Sequence, residues 1–130
     1  MHPLAVSAGA ADLAAGGAFF RSLRQVWTDG YETRYEAVDG DGVQYELSTR
    51  KGAVLTEEDG RLMLHAAGED IDITDELAET GAYHYEKALK HHIVAVDVAG
   101  TPEEWTLTET VTDEDGDTYT SAYTSDDTFL

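Results

Sequence analysis

From Asp29 onward, apolar and polar residues alternate along the chain. Tyr31, Thr33, Tyr35 and Ala37 share one phase, and Glu32, Arg34 and Glu36 share the other. Val43, Tyr45 and Leu47 then alternate with Gln44, Glu46 and Ser48. Period-two runs of this kind predict half-buried strands. The connecting Asp39-Gly40-Asp41-Gly42 supplies the positive φ angles that tight hairpins need. A second hairpin is expected where Ala53-Val54-Leu55 and Arg61-Leu62-Met63-Leu64 flank Glu57-Glu58-Asp59-Gly60, and a third where Trp105 to Thr112 turns at Asp115-Gly116 and returns as Thr118 to Thr124. Ile93-Val94-Ala95-Val96-Asp97-Val98 is the most β-rich run and predicts a central strand. Threonines at 106, 108, 110 and 112 suit an exposed pleated face.

Two stretches read less simply. Phe19, Leu23, Val26 and Trp27 fall at i, i+4, i+7 and i+8, an apolar helical stripe, although an extended reading is also open. Thr74 is placed to cap a short helix carrying Leu77 and Ala78, which Gly81 would end. Ala82 to Leu89 fits either a further helical turn or a strand with Tyr83 and Tyr85 outward. The sum is a mainly-β protein, an antiparallel sandwich or barrel of about seven or eight short strands with one or two short helices. It divides into a flexible N-terminal arm at 1–18, a single β-rich domain at 19–124 and a tail at 125–130.

Composition changes the picture mainly through charge. Asp and Glu number 27 against 8 Lys and Arg, for a formal charge of −19 on 130 residues. Solubility asks only for a magnitude of roughly 2–8 in a small domain. Such a surface repels itself at ordinary ionic strength, and the penalty fades in molar salt, where the Debye length falls to about 3 Å. Phosphate-driven binding of nucleic acid is excluded by the scarcity of Lys and Arg. The absence of cysteine excludes disulfides, Cys-ligated metals and a thiol nucleophile. No apolar run reaches the ~20 residues of a membrane helix, and no signal peptide is evident.

Candidate chemistry is sparse. Asp113-Glu114-Asp115-Gly116-Asp117 begins like a calcium loop, but Thr118 and Thr124 stand where an EF-hand needs Gly and a bidentate Glu. It therefore reads as an acid-coated turn, with Asp113, Asp115 and Asp117 as weak metal candidates. His84, His91 and His92 are close in sequence, yet adjacent His91 and His92 point to opposite faces of a strand. No GxSxG, P-loop or GxGxxG is present. The expectation is a protein without enzymatic activity and without a cofactor.

The acid-rich, lysine-poor, cysteine-free composition resembles proteins of extreme halophiles, notably haloarchaea and their viruses. Separately, Val43-Gln44-Tyr45-Glu46-Leu47-Ser48, Leu64-His65-Ala66-Ala67-Gly68-Glu69-Asp70 and Thr74-Asp75-Glu76-Leu77 resemble segments of the small cytochrome-b5-like heme or steroid-binding domains. The His-Pro-Gly-Gly ligand motif of that family is missing, and Tyr83-His84-Tyr85 only loosely replaces its second histidine turn. The resemblance implies a ligand near His65 and His84. The leading expectation is a structural protein of a haloadapted system, most concretely a small virion component (capsid decoration, neck or tail protein) of a haloarchaeal tailed virus, found in the virion or host cytoplasm. Phe19, Phe20, Leu23, Trp27, Phe129 and Leu130 are the expected contacts to other protein subunits, supported by the interface-prone Tyr83, Tyr85, Tyr119 and Tyr123. A small ligand-binding module, cytochrome-b5-like or a β-barrel with a pocket, is the alternative.

Overall fold

Alternation and turn chemistry carry through to three sheets. The computed structural model describes residues 4–7 and 20–127, and the structural statements that follow refer to those residues. Two compact units divide the chain, residues 1–51 and residues 52–130.

The first unit is one sheet in the order β1-β4-β3-β2. Its strands are β1 (Leu4–Ser7), β2 (Phe20–Thr28), β3 (Glu32–Asp39) and β4 (Gln44–Arg50). All its pairs are antiparallel except β1 with β4, which run parallel. Part of the span read as an arm is thus a strand; the remainder of 1–18, like Phe19 and residues 128–130, lies outside the described residues. Ala37 and Leu47 are buried together, with Phe20, Tyr35 and Tyr45 packed on them.

The second unit holds a sheet in the order β11-β10-β9-β8 and another in the order β5-β6-β7. Its elements are β5 (Val54–Glu58), β6 (Arg61–Ala66), β7 (Glu69–Asp72), the helix α1 (Thr74–Thr80), β8 (Ala82–Ala88), β9 (His92–Gly100), β10 (Trp105–Asp113) and β11 (Thr118–Thr124). Its core combines Leu62 and Leu64 of β6, Val94, Val96 and Val98 of β9, Leu107 and Val111 of β10, and Ile73 and Leu77 at the helix. Three side chains tie the two sheets. Tyr85 donates its hydroxyl to Glu69. Glu109 accepts the Ala53 N–H at 3.0 Å. The Tyr123 hydroxyl accepts from Leu55 N at 2.9 Å and donates to Ala53 O at 3.2 Å.

The mainly-β expectation holds, and several details differ. Eleven strands rather than seven or eight are present, with one short helix. Among the described residues no sheet closes on itself. Residues 20–28 form a strand, not a helix. The register against β3 slips between Phe20 and Ser22 and again between Gln25 and Trp27. Each slip inserts one residue and breaks the period of two, which leaves the apolar positions at helix-like spacing. Ala82 to Ala88 is also a strand, but with Tyr85 buried, Tyr83 half-buried and His84 outward. Thr74 is not the helix cap: its hydroxyl accepts Leu62 N at 2.7 Å, and Ile73 occupies the cap position without a side-chain bond. Gly81 ends the helix as expected, at φ 75° with its N–H on Leu77 O.

One hairpin of each of the two larger sheets, β3–β4 and β10–β11, is built on the same turn, Asp-x-Asp-Gly-x-x-Tyr, at 39–45 and 113–119. In each, the first Asp takes two backbone N–H groups on Oδ1, from Asp41 and Val43 or from Asp115 and Asp117, all at 2.9–3.0 Å. Its Oδ2 takes the tyrosine hydroxyl, at 3.1 Å from Tyr45 and 3.3 Å from Tyr119. The glycines sit at φ 85° and 84°. One local sequence thus builds the same turn twice, with eight elements between.

Two consequences can be measured. Gly100 has φ 123°, and a Cβ there would lie 2.2 Å from the Glu104 carbonyl oxygen. Gly100→Ala is expected to cost about 1–3 kcal/mol in denaturant unfolding, since the clash meets backbone. Burial holds the Glu109 carboxyl above the usual glutamate range, opposed in part by its bond from Ala53. The folded state therefore keeps this proton to higher pH than the unfolded state, and its charge opposes folding at pH 7. Glu109→Gln, which retains the acceptor, is expected to raise Tm at pH 7, with the gain shrinking toward pH 5. A lower Tm at pH 7 would count against this account.

Candidate functional site

Strand β2 forms one edge of the first sheet, and its two bulges determine what it presents. The residues skipped by the ladder are Arg21 and Val26. A bulged residue is unpaired and its side chain is re-aimed. Arg21 is exposed and makes no ion pair among the described residues, and Val26 is 46% exposed. Leu23, between them, is 38% exposed. The flanking aromatics are anchored within the sheet. Phe20 meets Tyr45 edge-on at 5.5 Å, and the Arg34 guanidinium lies 5.7 Å from the Trp27 ring. Arg34 is itself bound to the buried Glu32 at 2.6 Å, which also draws Arg50 at 3.4 Å.

Of the predicted contact residues, Leu23 is thus presented to solvent, while Phe20 and Trp27 brace the strand. Phe19, Phe129 and Leu130 lie outside the described residues. Sequence reasoning passed over Arg21 and Val26. The available signal was that β2 carries two arginines and no acid in a chain with 27 acids. Arg24, the second, is paired with Glu36.

Charge divides unevenly between the units. Residues 1–51 hold five Lys and Arg against seven Asp and Glu, a net of −2; residues 52–130 hold three against twenty, a net of −17. The second unit also contains a groove of about 380 Å³. Leu55, Leu62, Pro102 and Trp105 line it together with Glu57 and Glu103, and Gly60, Arg61 and Ser125 complete it. Trp105 stacks edge-on against Tyr123 at 5.5 Å. Arg61 is already held by Asp72 at 2.8 Å and Asp75 at 3.1 Å, which lowers the Asp72 pKa to about 2. Glu57 and Glu103 are exposed and unpaired among the described residues.

Histidine and acid clusters have structural explanations. Asp113, Asp115 and Asp117 do approach one another, with ligand atoms within 4.8 Å. Asp113 spends its oxygens on the turn, however, and the equivalent turn at 39–45 forms with two aspartates only. His84, His91 and His92 do not converge. His84 Nδ1 meets Asp97 at 2.7 Å, His91 Nδ1 meets Glu114 at 2.5 Å, and His92 is buried. His65 and Thr56 superficially suggest a nucleophile and its base, at 2.7 Å, with Asp70 on Nδ1 at 2.5 Å. Yet Glu58 lies 3.0 Å from the same Nε2 and accepts the Thr56 hydroxyl at 2.7 Å. Carboxylates on both ring nitrogens favour imidazolium, which has no lone pair to take a proton. His65 faces away from Leu64 on β6, and His84 away from Tyr85 on β8, so each lies on the outer face of a different sheet. They do not bracket a shared ligand as the cytochrome-b5-like resemblance implied.

No family model matches the chain, and no curated protein or solved structure is similar to it. What the structure defines is a mainly-β protein in which the bulged β2 strand forms one edge of the first sheet among the described residues, on a near-neutral unit, with a strongly acidic second unit.

Hydrogen bonding to Asp70, reinforced by Glu58, raises the His65 pKa, and Asp97 does the same for His84. A histidine raised in the folded state adds stability that is complete below its unfolded value near 6.5 and is lost as pH rises through its folded value. His65→Gln is therefore expected to lower Tm at about pH 6 and leave it unchanged at about pH 9, and an NMR titration should place the His65 midpoint above 6.5.

Proposed function

We propose that the protein is a non-enzymatic assembly component that works in concentrated salt and joins other subunits through the β2 edge. The observation that carries this reading is the pairing of an open strand edge, exposing Leu23 and Val26, with a charge load confined to the other unit. Exposed sheet edges are templates for further strands, and proteins usually blunt them with charge or cover. Here the edge exposes Leu23 and Val26 beside Arg21 and Arg24, while twenty acids lie in the other unit. A capsid decoration, neck or tail protein of a haloarchaeal tailed virus is the setting we propose, and composition supports it.

The serial arrangement of hydroxyl, imidazole and carboxylate at Thr56, His65 and Asp70 is locked by Glu58 into an ionic tie. Its position across β5, β6 and β7 gives it a cross-strand stabilising role.

Salt tests both parts. Between about 0.1 M and about 1 M KCl the Debye length falls from roughly 10 Å to 3 Å. Over that range Tm is expected to rise, and light scattering after size exclusion is expected to show a growing fraction above the monomer mass. A Tm that falls with KCl would overturn the salt adaptation. A strict monomer at every salt concentration would overturn the assembly role.

A further inference from the structure

We propose that the groove of the second unit is a binding site for a guanidinium group, and that its occupant is Arg21 of a second copy of this chain. This rests on the assembly reading above and gives it a partner and a direction. The argument begins with the unpaired charges. Arg21 is the extra residue of the first β2 bulge, exposed and without an ion pair among the described residues. Arg24 and Arg34, by contrast, are already held by carboxylates on their own sheet. In the groove, the situation is inverted. Its cation, Arg61, is saturated by Asp72 and Asp75, and its unpaired charges are the carboxylates of Glu57 and Glu103.

The remaining lining suits the same ligand. Leu55, Leu62, Pro102 and Trp105 offer apolar and aromatic surface beside the two carboxylates. Guanidinium is planar and weakly hydrated, stacks on aromatic rings and pairs with carboxylates in fixed geometry. A compact, strongly hydrated ammonium would gain less from such a lining. An anion is disfavoured by the surrounding charge of −17. On the donor side, Leu23 and Val26 follow Arg21 on the same exposed strand and supply apolar surface to accompany it.

Salt adaptation and ionic docking are compatible here. Two copies at −19 each repel at long range, and molar salt removes that repulsion. A contact inside a partly apolar groove is screened much less than one on an open surface. Because the donor and acceptor patches differ, the contact is heterologous, so it builds open chains or closed rings rather than stopping at a two-fold dimer.

Complementary charge reversals test this. Arg21→Glu lacks the donor and keeps the groove; the double variant Glu57→Lys, Glu103→Lys lacks the groove and keeps the donor. All three proteins are measured by size exclusion with light scattering in about 1 M KCl, with circular dichroism to verify folding. The unmodified protein is expected to form species of two or more subunits, and each variant alone is expected to run as a monomer. An equimolar mixture of the variants is expected to assemble again, because the intact donor of one meets the intact groove of the other and the two reversed patches are complementary as well. Should the lysine variant not fold, Glu57→Gln with Glu103→Gln replaces it in the same assay. Oligomers that survive either reversal, or a mixture that stays monomeric, would overturn the groove assignment and leave the assembly reading standing. An unmodified protein that is monomeric throughout would overturn both.

Discussion

Like-charge repulsion within residues 52–130 is the constraint on which the rest of the structure depends. Twenty acids face three Lys and Arg there, and the strands must still close around a core. Period-two alternation resolves the conflict by separating faces: of those acids only Glu109 is buried and Asp113 half-buried, while the others lie outward. The core is left to small aliphatics such as Val94, Val96, Val98 and Leu107, which pack without polar atoms. Two of this unit's three Lys and Arg are paired with acids. Arg61 spans Asp72 and Asp75, and Lys87 reaches Glu69. Histidines extend the supply, with His65 bridging carboxylates on two neighbouring strands. Every such tie is on or near the surface, where an isolated pair contributes little, so the aliphatic core carries the stability that the charge erodes.

Acids are not merely a coat. Asp39 and Asp113 each gather two backbone N–H groups and a tyrosine hydroxyl, which fixes the reversal of a hairpin. Bonding from the Val43 N–H, with further bonds from Tyr45 and Asp41, holds the Asp39 pKa below the usual aspartate range, so the carboxylate is matched to its charged form. An ionised Asp that accepts backbone donors relieves orphaned amides at the same time as it hydrates the turn. This is why the hairpins were the most legible part of the sequence. Their information is local, within seven residues, and does not depend on what packs against the sheet.

What was not legible depended on distant contacts. The β2 strand reads as a helix stripe because its bulges shift the phase, and bulge positions are set by the partner strand rather than by local preference. In β8 the inward face is chosen by Tyr85 reaching Glu69 and Ala66 across the core, whereas His84, Glu86 and Lys87 leave both faces polar in sequence. Thr74 carries a cap signature, but Leu62, twelve residues earlier, claims its hydroxyl. The candidate edge was half visible: Leu23 and Trp27 stood out as apolar residues in an acidic chain, while the bulges at Arg21 and Val26, in a strand exposed along most of its length, left no local signature. The grouping of Trp105 with Glu57 and Glu103 joins β5 to the start of β10 and the loop before it, far apart in sequence, and left no local trace.

The uneven charge also makes the two units respond to solvent in opposite ways. The second unit, at −17, is relieved by every increase in screening. The first, at −2, has little repulsion to relieve, and its buried Glu32 is balanced by Arg34 and Arg50, an attraction that salt can only weaken. High salt therefore favours the first unit least and the second most, and the chain is a compromise between them. Approach between copies follows the same arithmetic. Second unit against second unit multiplies two large like charges, whereas an approach led by the β2 edge brings a basic, apolar strand toward an acidic surface. Electrostatics thus biases which faces would meet before any specific contact forms, and that bias weakens as salt screens it.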